Sequence, residues 1–589
     1  MRQMPPHDKK HSFTGAMKKL MRYCKPYLPA IIVALVFAVL GALMSVTGPE
    51  YVGDLTDEIE EGLFGSIDMG AVLHITLILI MIYALGWIFN FIQGYIMAIM
   101  SARITKSMRS DISSKINRMP LSYFDSKQFG DTLSRVSNDV DTVGTQINST
   151  VTDLVNAITL FLGSLIMMVI TNWQMALAAV LASLLGFGLM FVIIICSQKY
   201  FVRQQRALGS VNGLIEEVYS GHMVVKAYNA EDITMEDFKK RNAELYNNGW
   251  KANFISTAMM PLMGFVGNLG YVAVCVVGSV LMLNGDADIA TIVSFMMYVR
   301  LFTNPLTTIA QANTNLQSAA AAADHVFEFL GEDEMEDESG KTVRLDDVKG
   351  KVEFDHVSFG YNSDRTIIKD FSCTVEPGMK VAIVGPTGAG KTTLVNLLMR
   401  FYEVNGGSIR IDGVPLTDLT RENIHSLFSM ILQDTWMFEG TIRDNIVYSK
   451  EGVTDEQVMK ACETVGLAHF IKTLPNGLDT IMDDSANLSA GQKQLITIAR
   501  ALIEDAPMLI LDEATSSVDT RTERTIKEAM DAMTDGRTSF IIAHRLSTIR
   551  DADIILVLRD GDIVEKGSHE ELMARNGFYA ELYNSQFED

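Results

Sequence analysis

Cysteine is scarce in this chain of 589 residues: Cys24, Cys196, Cys275, Cys373 and Cys462 are scattered singly, with no CxxC spacing. That pattern supplies neither a disulfide framework nor a zinc site, and it suits small buried apolar side chains. Basic residues are outnumbered, 49 against 71 acidic, and a formal charge of −22 argues against the basic face that binding nucleic acid requires. Lysine and arginine are missing altogether from three long intervals, between Lys25 and Arg103, between Arg135 and Lys199, and again over 252–299.

Long apolar runs occupy those intervals. A spanning helix needs about 20 mostly apolar residues, and six stretches qualify or nearly so: 30–47, 72–97, 154–171, 175–195, 262–282 and 291–308. The first follows basic residues, as a signal peptide would, but its length and the lack of a small-residue cleavage site favour retention as a span. Arg2, Lys9, Lys10, Lys18, Lys19, Arg22 and Lys25 precede it, whereas the loop after it is acidic (Asp54, Asp57, Glu58, Glu60, Glu61, Asp68). Because short cytoplasmic loops carry the excess of Lys and Arg, that loop reads as external. Six spans then put both termini, and everything after the last span, in the cytoplasm of a multi-pass cell-membrane protein.

Basic residues return over 103–135 and 199–251, intervals too long for simple turns. Helices two to five are therefore expected to continue well beyond the bilayer, with breaks in pattern at 119–125 and 219–228. Met167, Met168, Met259, Met260, Met263, Met296 and Met297 either line an adaptable cavity or fill lipid-facing and core positions. Arg300 stands inside the last span, where a charge is costly and faces protein or water; it either lines a pathway or reaches toward the inner surface.

From about residue 350 the character changes to short apolar strands, glycine turns and charged helices, the pattern of a soluble α/β domain. The acidic, unpatterned segment 331–340 marks the border. The expected organisation is a transmembrane domain over 1–330, an acidic linker over 331–349 and a second domain over 350–589.

The second domain carries the chemistry. A buried strand over 381–384 runs into Gly385-x4-Gly390-Lys391-Thr392 and then an apolar helix, the strand, loop and helix context of a phosphate-binding loop. Backbone N–H groups of Gly385, Thr387, Gly388, Ala389 and Gly390 would wrap nucleotide phosphates at a helix N-terminus, with Pro386 shaping the loop but lacking an N–H of its own. Lys391 supplies a point charge to the β- and γ-phosphates, Thr392 a hydroxyl for Mg2+, and Thr393 closes the loop. Downstream, the apolar run 508–511 ends in Asp512 and Glu513. There Asp512 suits Mg2+, and Glu513 suits orienting or deprotonating an attacking water.

Leu488-Ser489-Ala490-Gly491-Gln492 opens a helix between these motifs; Ser516, Asp519 and His544 follow the acids; Gln433 ends an apolar run, and Tyr361 stands upstream. In this order and spacing the motifs resemble the nucleotide-binding domain of the ATP-binding-cassette (ABC) transporter family, and the resemblance extends over nearly the whole chain. It implies an ABC exporter half: an all-α, six-helix transmembrane domain with long cytoplasmic extensions, plus an α/β P-loop ATPase domain. The segments near 119–130 and 221–234 would be coupling helices. By the same resemblance Tyr361 stacks on adenine, Gln433 contacts Mg2+ or the attacking water, and His544 holds the γ-phosphate. Ser489, Gly491 and Gln492 reach a nucleotide bound on another subunit, so one cassette cannot complete a site and a second half-transporter is implied.

Two departures stand out. The family signature Leu-Ser-Gly-Gly-Gln has Ala490 at its third position, and the preceding segment 480–487 lacks the usual Gly-Glu-x-Gly run. Both affect the half-site offered to a partner, while the chain's own catalytic set is intact. This resembles the heterodimeric, multidrug-type exporters, so a heterodimer is expected whose partner lacks a glutamate at its equivalent of Glu513; a homodimer tolerating alanine is the alternative. The expected activity is ATP-driven export of a hydrophobic drug, lipid or peptide, among membrane lipids, with an ATP-gated channel or regulatory subunit as the other class.

Overall fold

The computed structural model describes residues 13–63, 66–126, 135–362, 365–433, 435–482, 488–512, 520–542 and 549–587. The chain divides into two compact units, Met1–Asn117 with Phe129–Glu332, and Arg118–Gln128 with Asp333–Asp589.

The first half of the sequence is helical: α1 (Phe13–Tyr23), α2 (Leu28–Leu63), α3 (Met69–Arg118), α4 (Leu121–Ser126), α5 (Val140–Thr171), α6 (Trp173–Ser220), α7 (His222–Ala227), α8 (Glu231–Leu283) and α9 (Ile289–Leu330). All but α4 belong to the first unit. Five helices are long and apolar enough to cross a membrane, and Trp173–Gly186 in α6 carries a shorter apolar stretch, among the described residues. At 50, 48 and 53 residues, α3, α6 and α8 run far past the 20 or so that a bilayer needs. Their sharp reversals are capped. Asn172 accepts from the backbone of Gln174 and Met175 to start α6, and Asp288 accepts from Thr291 N at 2.7 Å to start α9.

Within this unit α9 packs along α5, and α6 along α8. Phe295, Tyr298, Val299 and Phe302 of α9 meet Met168, Met175, Ala176, Ala179 and Val274, with Phe161 stacked on Phe302 at 4.8 Å. Met168 and Met175 are thus core filler, while Met296 is exposed. The side chains of Met259, Met260 and Met263 lie outside the described ones. Pro49 interrupts the donor ladder of α2, and its own carbonyl accepts from buried Ser294 Oγ of α9 at 2.9 Å. Any Cβ at Gly53 would sit 2.3 Å from that hydroxyl, so a glycine permits the approach.

Among the described residues the second unit has three sheets. Strands β1 (Val352–Phe359), β2 (Ile368–Val375), β3 (Lys380–Val384), β4 (Gly406–Ile411), β5 (Val414–Pro415), β6 (Phe428–Ile431), β7 (Gly440–Thr441), β8 (Ile481–Met482), β9 (Met508–Asp512), β10 (Thr538–Ile542), β11 (Ile554–Arg559) and β12 (Asp562–Gly567) follow in order. An antiparallel sheet runs β2-β1-β4-β5, a six-stranded sheet runs β12-β11-β3-β10-β9-β6, parallel except for β12, and the smallest pairs β7 with β8. The parallel strands are apolar at nearly every position because both faces are covered. Alternation sends Val381, Ile383 and Ile510 into one core and Ala382, Val384 and Leu509 into the other.

The acidic segment beyond α9 is pinned rather than loose. The Glu338 carboxylate accepts from Arg421 N at 2.7 Å, Arg421 Nη1 at 2.8 Å, Arg400 Nη1 at 2.8 Å and Lys341 Nζ at 3.0 Å. Arg400 is buried and also pairs with Glu403.

Candidate functional site

The parallel register levels the carboxyl ends of four strands. Ile383 of β3 lies beside Ile542 of β10, Ile542 beside Asp512 of β9, and Ile431 of β6 beside Leu511. In open α/β sheets ligands bind beyond this edge. The loop after β3 and the acid ending β9 therefore share one edge, although 127 residues separate Gly385 from Asp512.

The loop leads directly into α10 (Lys391–Leu398). Its shape depends on glycine: a Cβ at Gly385 would lie 2.3 Å from the carbonyl oxygen of Leu558, and Gly390 caps α10 with φ +103°. Gly388 has φ +84°. Pro386, Thr387 and Gly388 are exposed while Ala389 is buried, its N–H donating to Pro386 O at 3.1 Å. Lys391 Nζ donates to the carbonyls of Gly385 at 2.7 Å and Pro386 at 3.2 Å. Burial pushes the Lys391 ammonium's pKa down, and the Asp512 carboxylate opposes that shift. Thr392 is exposed at the start of α10. A hydroxyl, a strand-end carboxylate and a helix N-terminus form the hard-oxygen and anion-binding set that a Mg2+–nucleotide fits.

Tyr361 borders this loop. Its hydroxyl donates to Thr393 Oγ1 at 3.2 Å, and its ring packs edge-on against Phe359 at 5.0 Å and Tyr402 at 4.9 Å. The ring is 43 % exposed, leaving surface for a planar ligand. Gln433 is exposed just past the end of β6. Glu513 and His544 follow Asp512 and β10 in sequence, and both lie outside the described residues, as do 483–487 and Ser516 to Asp519.

The signature motif forms a helix start. Ser489 caps α15, the helix Ala490–Glu504 that follows α11 (Arg421–Ser426), α12 (Ile442–Val447), α13 (Asp455–Thr464) and α14 (Ala468–Thr473). Ser489 Oγ accepts from Gln492 N at 3.2 Å while Gln492 Oε1 accepts from Ser489 N at 2.9 Å, a capping box that ties two motif residues to each other. Gly491 is buried, whereas Ala490 is exposed. The methyl that departs from the family pattern thus projects away from the chain's own core.

Sequence reasoning passed over Tyr402 and Asp125. In the second unit the Tyr402 hydroxyl donates to the Asp125 carboxylate of α4. Phe359, Tyr361 and Tyr402 form one aromatic cluster, so α4 is one hydrogen bond from the residue expected to stack on adenine. The available signal was an aromatic pair, Phe401-Tyr402, just past the phosphate-loop helix.

Comparisons with known proteins find relatives for both halves of the chain. Residues 31–306 match the ABC transporter transmembrane region and residues 368–516 match the ABC transporter model. The chain is 38 % identical to a fatty acid ABC transporter ATP-binding/permease protein of Mycobacterium bovis, over 98 % of this chain and 97 % of that one. It is 32 % identical to an ATP-dependent lipid A-core flippase of Syntrophus aciditrophicus, over 97 % and 94 %. Among solved structures, a bacterial Atm1-family ABC exporter with ATP bound has a TM-score of 0.74 at 25 % identity, covering 95 % of this chain and 98 % of that one.

Proposed function

The chain belongs to the ABC transporter family, as a multi-pass exporter half that hydrolyses ATP to drive transport, and from that premise we propose that its cargo is a hydrophobic or amphipathic, lipid-like molecule moved by alternating access. The levelled strand ends that put the phosphate loop and Asp512 at one edge of the sheet, in a chain that also carries long apolar helices, are the observation that carries the reading. A fatty acid transporter and a lipid A-core flippase among the relatives support a lipid-like cargo.

In the proposed cycle Tyr361 stacks on adenine, and the backbone N–H groups of Gly385 and of 387–390, with Lys391, hold the β- and γ-phosphates. Thr392, Asp512 and Gln433 would hold Mg2+, which when bound neutralises charge on the phosphate oxygens. Glu513 orients the attacking water and accepts its proton as the bond from the γ-phosphorus to the β–γ bridging oxygen breaks. His544 steadies the departing phosphate. Ser489, Gly491 and Gln492 would meet the nucleotide of a second half. Sandwiching ATP between two halves favours the closed state by its differential affinity, and α4 and α7 act as coupling helices that pass closure to the spans. Both termini and the ATPase are cytoplasmic in this reading.

The partner is a different half-transporter, on the strength of the exposed Ala490 methyl and the unusual segment before it. Co-purification on a tag carried by this chain tests that: a competent ATPase containing only this chain overturns the heterodimer. ATP-dependent uptake of a lipid-like probe into sealed inside-out vesicles, against its gradient, tests the export reading; passive equilibration would mark a channel.

A further inference from the structure

One exposed stripe of α9 carries polar side chains both inside the apolar run 291–308 and beyond it. Met296, Arg300, Asn304, Gln311, Thr314 and Ser318 are exposed at spacings of four, four, seven, three and four residues, one face of a helix. The other side, with Phe295, Tyr298, Val299 and Phe302, is buried in protein. Neighbouring helices show what a lipid-facing surface looks like in this chain: Leu73, Leu77 and Ile80 on α3, and Leu162, Ile166 and Val169 on α5. Inside the run, the polar part of this stripe, Arg300 and Asn304, therefore fronts water, protein or cargo rather than hydrocarbon.

Arg300 is the only charge on that stripe. It is also the only Lys or Arg between Lys251 and Lys341. In the apolar run 291–308 it stands nine residues from one end and eight from the other, so at 1.5 Å per residue about 12–14 Å separates it from either end. Snorkelling serves charges near helix ends, not at that depth. Among the described residues no carboxylate pairs with it; its guanidinium lies 6.0 Å from the Tyr271 ring of α8. A central cation costs at least about 3 kcal/mol in a spanning helix, and an anion arriving with the cargo would offset that cost.

We propose that Arg300 is the headgroup subsite of the transport route, binding the carboxylate or phosphate of an anionic amphiphile while its apolar tail lies toward Met296. This rests on the export reading above and adds the charge of the cargo to it. A guanidinium donates bidentately to such a group, which lysine reproduces only as a point charge.

The test uses the full transporter, purified through a tag on this chain with the half it assembles with and reconstituted in neutral-lipid nanodiscs. ATPase stimulation is titrated with palmitate, methyl palmitate, hexadecyltrimethylammonium, a lysophosphatidic acid, and the tail-less anions acetate and inorganic phosphate. Palmitate and the lysophosphatidic acid should stimulate at concentrations at least tenfold below methyl palmitate, and the tail-less anions should not stimulate. In Arg300→Gln the half-maximal palmitate concentration should rise at least tenfold while that for methyl palmitate stays within twofold, with Arg300→Lys between. Equal responses to palmitate and its methyl ester in the unaltered protein, or equal losses in Arg300→Gln, overturn the proposal. So does loss of assembly in Arg300→Gln on size exclusion, which would assign the arginine to a partner's carboxylate. Stimulation by amphiphiles of every charge leaves export standing and defeats only Arg300; no response to any probe overturns the export reading itself and this inference with it.

Discussion

The hydroxyl of Tyr402 is hydrogen-bonded to the carboxylate of Asp125, joining the phosphate-loop side of the ATPase unit to the short helix α4, 277 residues earlier in the chain. Burial, with Asp125's carboxylate beside it, raises the pKa of the Tyr402 phenol well above its ordinary value. Tyr402 also packs against Tyr361, so a change at the nucleotide edge and a change at α4 share one side chain.

If that link is energetic, Tyr402→Phe and Asp125→Asn should be non-additive. The bond is solvent-exposed although Tyr402 itself is half-buried, so the coupling should be about 1 kcal/mol rather than the larger value of a buried charged hydrogen bond. A double-mutant cycle on the thermal unfolding of the ATPase unit reads it; strictly additive shifts would remove α4 from the nucleotide network.

Glu513→Gln should bind ATP with an affinity within about threefold of the original and lose at least about 100-fold in turnover, the span expected for removing a general base. ATP binding and phosphate release measured on one preparation separate the two effects. Unchanged turnover would take the water-activating role away from Glu513.

Glu338 predicts a pH effect. Burial alone would raise its pKa, but the Arg421 amide, Lys341 and the two arginines reverse this and hold it below the ordinary glutamate value. Its contribution is therefore full above that ordinary value, near 4.5, and is lost as pH falls through the lower folded value. Glu338→Gln should destabilise the ATPase unit at neutral pH by about 2 kcal/mol, since it weakens the charged hydrogen bonds to Arg421 and Arg400 while Glu403 still pairs with Arg400. It should also flatten the fall in Tm below pH 4.5; parallel acid limbs for both proteins would show that the cluster contributes nothing.

Ala490→Gly separates the two assembly readings. Helix α15 should lose up to about 1 kcal/mol, because glycine is the poorer helix former. In a heterodimer whose other site lacks a catalytic glutamate, steady-state ATPase activity should stay within about twofold. In a homodimer the substitution touches every active site, and a several-fold rise in turnover would reveal it.

Much of the protein was legible in local pattern. Apolar runs near 20 residues, the absence of Lys and Arg from 252–299, and Gly385-x4-Gly390-Lys391-Thr392 each report physics that acts within a few turns of chain: bilayer thickness, the cost of charge in hydrocarbon, and the dihedral freedom a phosphate loop needs. What stayed hidden depends on partners hundreds of residues apart. Nothing local shows that Glu338, in an acidic stretch that reads as solvated, is enclosed by Arg400 and Arg421.

The sequence by itself determined that the chain crosses a membrane and carries a nucleotide loop, because burial in lipid and wrapping of phosphate are both written in short-range residue type and spacing. Only the tertiary structure decided that α4 joins the ATPase unit, that Ala490 projects from its helix, and that Arg300 lies on an exposed stripe of α9. Which side of a helix is covered depends on what packs against it, and that is fixed by the rest of the chain.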